Sequence, residues 1–394
     1  MATNLRKITL PLKLTFLIFS MVLNCMGIII LQLSEENISY NKLGLLEAFK
    51  DLPIALISIF AVSFISKIGT KTSIISALMI VAVCSLILPF VQVFWFYKLW
   101  FAIIGACFAL GKICVYNIIK HNIFDEKTLT KTMSSVEASF MIGIFVVNTG
   151  FGWLISSEYG EFWKFGFFGI SLISFFTVYL FMKTEISETE NKSTTLLPDF
   201  KGFGKPAFIA FFCLLFFIVF TEQSFNSWLP SYYKNHLGVD SFFALQATSF
   251  LAVFSYLGRI FTAQMIRKFD LSKYFYFCVC MVLLILLLII LIQFTDDDKS
   301  SVLMFIFPVI GFFLAPLYPV ANSKMISSAD KEKVNVLTSI IVIFSSLGSS
   351  ASSALISVLF ENEMLNYYAV FIFTAVTIVF IFGFSFFKFI NQKY

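Results

Sequence analysis

Twelve runs of roughly 20 predominantly apolar residues, separated by short polar breaks, account for nearly the whole chain. Their approximate limits are 12–33, 43–66, 72–92, 94–118, 134–156, 164–183, 206–229, 242–266, 273–294, 301–325, 335–359 and 367–388. Each is long enough to cross the hydrocarbon of a bilayer as a helix, which closes its own backbone hydrogen bonds where no water is available. The pattern predicts an all-α membrane protein with 12 transmembrane helices. The longest polar break, Thr184 to Lys205, falls almost midway. It divides the chain into a six-helix half at 1–183, a linker at 184–205 and a second six-helix half at 206–394. The other breaks are too short to hold a soluble catalytic domain.

Composition removes the alternatives. Apolar residues are 59% of the chain and charged residues 13%, about half the share of an ordinary soluble domain. The 53 Phe could not be hidden in a soluble core of this size, and most read as lipid-facing filler. A net charge of +5 with so many aromatic residues excludes disorder and leaves no basic surface for nucleic acid. The seven cysteines all lie in apolar runs, and the two histidines, His121 and His236, are far apart, so neither a metal site nor a cofactor is expected. No phosphate-binding GxxxxGK[ST] loop is present to couple the chain to ATP.

The N-terminal Arg6, Lys7 and Lys13 resemble the start of a signal peptide, but the apolar run that follows is too long and has no clean small-residue cleavage site. It reads as the first span. Lys and Arg are retained on the cytoplasmic side, and most of the 28 fall there when the N-terminus is placed inside. Outer segments are acidic instead, as at Glu35 and Glu36, Glu158 and Glu161, and Asp296 to Asp298. The expected setting is a bacterial inner (plasma) membrane with both termini cytoplasmic and the lipid bilayer as surroundings.

Seven ionisable residues remain inside spans: Glu47, Lys50, Asp51, Lys112, Glu137, Glu222 and Arg259. A charge at a helix centre costs about 2.5–3.5 kcal/mol on insertion scales, so each should face the protein interior. Glu47, Lys50 and Asp51 share one helix face, either as a self-neutralising group or as carboxylates that take up a proton. Glu222 in span 7 has no cation nearby in sequence and has Asn226 one turn on; it is the sharpest candidate for proton exchange, against a packing hydrogen bond. Lys112, with Tyr116 on its face, could hold an acidic group of a solute or pair with Glu137 or Glu222. Arg259 and Glu137 suit structural or gate pairing as readily as solute contact. Among the aromatic residues Trp228, Tyr232 and Tyr318 are candidates for a cavity or gate.

The two halves repeat a feature. Ser66-Lys67-Ile68-Gly69-Thr70-Lys71 follows span 2, and Arg267-Lys268-Phe269-Asp270 follows span 8, each a tight basic turn at the same place in its half. This resembles the G-x-x-x-D-[RK]-x-G-[RK]-[RK] loop of the major facilitator superfamily, with Ser66 and Arg267 where the family has Asp. Within it, Glu222 followed by Trp228-Leu229-Pro230-Ser231-Tyr232, and Gly311 with Ala315-Pro316-Leu317-Tyr318-Pro319, are similar to the fucose-permease-like branch. The resemblance implies two pseudo-symmetric six-helix halves. It also implies a secondary transporter that moves a small-molecule solute, a sugar or an organic anion, together with a proton by alternating access. On that reading Glu222, Asp51, Glu47 and Glu137 serve proton coupling, and Lys112, Asn226, Trp228, Tyr318, Arg259 and Tyr116 serve the solute. Nothing in it requires more than one chain. A proton-driven exporter of drugs, metabolites or siderophores is the alternative. Asn148-Thr149-Gly150 counts against it, since span 5 lacks the Gly-Pro pair usual in such exporters. A non-transporting receptor or scaffold is the reading from another class. An intramembrane enzyme would need paired Asp, HExxH or Ser with His at membrane depth, and none is found.

Overall fold

The computed structural model describes residues 2–91, 93–122, 126–186, 206–265, 270–295, 300–327 and 334–391. The described residues form helices with no strand. In chain order these are α1 (Ala2–Asn24), α2 (Met26–Glu35), α3 (Tyr40–Ile68), α4 (Thr70–Ile87), α5 (Phe94–Asn122), α6 (Glu126–Ile155), α7 (Gly166–Lys183), α8 (Pro206–Asn235), α9 (Ser241–Met265), α10 (Leu271–Thr295), α11 (Ser300–Leu314), α12 (Leu317–Ser327), α13 (Val334–Glu361) and α14 (Tyr368–Asn391). All twelve expected spans are helical. Two of them are broken rods: α1 and α2 part at Cys25, and α11 and α12 at Ala315-Pro316, where proline cannot donate to the helix ladder. Among the described residues, eleven stretches are long and apolar enough to cross a membrane. The twelfth span, α3, is not among them, and it is the helix that carries Lys42, Glu47, Lys50 and Asp51.

Local chemistry sets the helix ends. Gly69 alone joins α3 to α4 and has φ 92, a backbone conformation open to glycine and costly for other residues, which fits the sharp basic turn expected there. Nearby, Lys71 Nζ donates to the Thr184 carbonyl at 2.8 Å, closing the end of α7. Asp240 and Asp270 cap α9 and α10: Asp240 Oδ1 accepts from the Phe242 and Phe243 amides, and Asp270 Oδ1 from the Ser272 and Lys273 amides. Of the second basic turn, Arg267, Lys268 and Phe269 lie outside the described residues, as do 187–205 of the expected linker and Asp296 to Asp298.

The helices gather into two compact units. The first comprises Met1–Met26 and Phe49–Pro198; within it α1 packs on α6 and α7, and α4 lies against α5 and α7. The second comprises Gly27–Ala48 and Asp199–Tyr394, with α8 against α13 and α14, and α9 against α11. The partition therefore departs from chain order at residues 27–48, most of α2 and the start of α3. Small residues explain their place. A Cβ on Gly27 would lie 3.0 Å from the Asn226 carbonyl oxygen, and one on Gly44 2.8 Å from that of Ser353, so these segments meet α8 and α13 backbone to backbone.

Phenylalanine is shared between lipid and core. Phe60, Phe90, Phe176 and Phe305 are exposed as filler should be, but Phe19, Phe101, Phe167, Phe211 and Phe225 are fully buried and stack in edge-on and tilted clusters.

Candidate functional site

The ionisable residues of the spans sort into three groups once the helices are packed. The first lies in the second unit. Glu47 is fully buried, and its carboxylate accepts hydrogen bonds from Ser227 of α8 at 3.0 Å and Ser349 of α13 at 3.4 Å. Trp228 lies one residue beyond Ser227, also fully buried; its indole donates to Ser353 at 2.8 Å, and its ring packs between Tyr40 and Phe360. Around them Lys234 pairs with Glu35, Asn235 donates to the Tyr40 hydroxyl and the Asn41 amide donates to Glu361. Asn226 is half-buried, with its carbonyl against Gly27. Glu47, Lys50 and Asp51 all lie on α3, where Glu47 groups with the second unit and Lys50 and Asp51 with the first. The two buried side chains of that pair approach to 3.8 Å.

The second group is Glu222 on α8 and Arg259 on the neighbouring α9, close enough for their charges to interact without an ion pair between them. The Arg259 Nε is buried without a hydrogen-bond partner among the described residues. Tyr318 on α12 is half-buried, and its hydroxyl lies 3.5 Å from Ser345 of α13. Tyr232 is fully buried and stacks on Tyr368 at 4.6 Å between ring centroids.

The third group lies in the first unit. Lys112, half-buried on α5, has its ammonium 5.7 Å from the Phe108 ring centroid. One turn on, the Tyr116 hydroxyl donates to Glu137 of α6 at 2.7 Å. Five rings follow one another here: Tyr116 to Phe16, Phe16 to Phe140, Phe140 to Phe108 and Phe108 to Phe19, with centroids 6.0, 6.4, 6.4 and 5.6 Å apart. Phe16 and Phe19 are buried behind, while Phe108, Phe140, Tyr116 and Lys112 stay partly open and Glu137 is exposed.

Sequence reasoning did not single out Ser227 and Ser349, which hold Glu47, or the ring bank beside Lys112. The signal available for the serines was the run Ser345 to Ser357 in α13, too polar for a helix that only faces lipid. Among the described residues there is no group of His, Cys, Asp and Glu able to hold a metal ion.

A family model described as Major Facilitator Superfamily matches residues 13–353. No curated protein matches the chain in sequence. Several solved structures share its fold. A D-xylose–proton symporter superimposes with a TM-score of 0.81 at 14% identity, over 95% of this chain and 97% of that one. A bacterial homologue of the human lysosomal transporter Spinster, inward-facing and unoccupied, gives 0.68 at 13% identity over 98% of each chain. The fucose–proton symporter of E. coli gives 0.65 at 14% identity over 95% and 97%.

Proposed function

Because the chain belongs to the major facilitator superfamily, a family of membrane transporters, we propose that it works as a proton-coupled secondary transporter that takes up a small polar solute, a sugar or an organic anion, by alternating access. The observation that carries this reading is Glu222, a carboxylate inside a membrane-spanning helix with the charge of Arg259 on the neighbouring helix within range. A carboxylate at that depth is costly to keep ionised unless paired. When a proton neutralises it, the arginine is released to interact elsewhere, and the two states differ in what they bind. Coupling needs no more than this: a reciprocal change in affinity between proton and solute, typically about 1–3 kcal/mol. Two of the proteins that share the fold are described as proton symporters, for xylose and for fucose, which supports the same mode of working. The orientation set by the basic loops puts both termini in the cytoplasm.

Purified protein in sealed vesicles tests the reading. An inward proton gradient is expected to accumulate one of a panel of sugars and organic acids, and Glu222→Gln to abolish accumulation while leaving passive exchange. Expulsion of preloaded solute by the same gradient would establish the exporter instead. Absence of any proton-linked flux across the panel would remove the coupling.

A further inference from the structure

Of the seven ionisable residues inside the spans, four make a polar contact in the fold, and Glu222 and Arg259 lie within range of each other's opposite charge. Lys50 approaches Asp51, Ser227 and Ser349 donate to Glu47, and Tyr116 donates to Glu137. Lys112 is different. Its one contact of this kind is the face of Phe108, and among the described residues it makes no ion pair and no hydrogen bond. It stands about 10 residues, ~15 Å of helical rise, from the end of α5 at Asn122, well inside the apolar stretch Phe94–Ile119. A lone ammonium at that depth is costly, so the position suits a group that receives its counter-charge from a bound molecule.

Its surroundings describe the rest of that molecule. Phe108, Phe140 and Tyr116 present partly open ring surfaces beside the ammonium, with Phe16 and Phe19 packed behind them. Among the described residues the polar groups shown against these rings are Lys112 and the Tyr116–Glu137 pair, whose Tyr116 proton already goes to Glu137, an arrangement richer in ring surface than in the hydrogen-bonding groups a hydroxyl-rich solute needs. The geometry points to an organic anion with a flat apolar body as the solute, its charged group paired with Lys112 and its body lying on Phe108, Phe140 and Tyr116. This assignment rests on the transport reading above and narrows it from two solute classes to one.

Four probes separate the contributions: benzoate, benzyl alcohol, acetate and D-xylose, each titrated into the purified full-length protein with thermal stability as the readout. Benzoate is expected to raise the melting temperature, with benzyl alcohol, acetate and xylose at least about tenfold weaker, because one lacks the charge, one the ring and one both. Lys112→Met should weaken benzoate binding by more than about tenfold, the usual consequence of removing one partner of a desolvated ion pair, and Lys112→Arg should restore it. The ligand comparison uses unaltered protein, so it stands even if Lys112→Met folds poorly. Tighter binding of xylose than of benzoate, or benzoate binding that survives Lys112→Met, overturns the assignment. Proton-driven xylose accumulation in vesicles would overturn it while leaving the transport reading intact. Loss of all proton-linked flux with benzoate still bound would instead remove the transport reading and keep the site.

Discussion

Glu47 has its carboxylate held by serines 180 and 302 positions away in the chain, contacts that only packing brings about. Its charge and its i, i+3, i+4 relation to Lys50 and Asp51 were legible in the sequence; Ser227 and Ser349 were not, because hydroxyls in apolar helices usually satisfy themselves on their own backbone. Replacing Glu47 by Ala leaves both serines without this acceptor, and the protein should lose about 1–3 kcal/mol of stability, read as a fall in melting temperature in detergent. A double-mutant cycle with Ser349→Ala should be non-additive; additive effects would mean that the 3.4 Å contact carries no energy. His236, just beyond the end of α8, gives a pH signature. Burial pushes its imidazole below the ordinary value of 6.5, so the unfolded chain binds the proton more readily than the folded one. Stability present above pH 6.5 is therefore lost as the pH falls from there through the folded value. His236→Gln should flatten that part of the stability profile, and an unchanged slope would assign the loss to other groups.

The helices themselves were the most legible feature, since length and hydropathy are local properties. What blurred was their continuity. The breaks at Cys25 and at Ala315-Pro316 fall inside runs that are apolar throughout, and a hydropathy profile does not distinguish a straight rod from a broken one. Caps could be read more directly. Asp270 precedes α10, and the hydrogen bonds it accepts, from the Ser272 hydroxyl and then from the Lys273 and Ser272 amides, hold its carboxyl below the usual carboxylate range. Asp270→Ala should cost about 1 kcal/mol, as for other N-caps, visible in thermal unfolding. Helix contacts leave a different mark. A Cβ on Gly105 would come within 2.2 Å of the Lys50 carbonyl oxygen, so α5 passes α3 at a distance that only glycine permits. Gly105→Ala should destabilise by about 1–3 kcal/mol, and an unaffected melting temperature would show that α5 can yield there.

For the molecule as a whole, the sequence indicated two halves from the central polar stretch and the paired basic turns, and it indicated family membership from a handful of positions. It did not indicate which helices share which unit, because that depends on contacts between segments remote in the chain. Nor did composition foretell the division of phenylalanine between lipid and core, since an apolar ring suits both. Residues 27–48 show what the partition entails. Their two ends continue into Met26 and Phe49 of the first unit, while their side chains are packed into the second. Any motion that lifted this hairpin off α8 and α13 would strip Glu47 of Ser227 and Ser349. The hairpin is thus fastened to the second unit by its side chains and to the first by its chain alone.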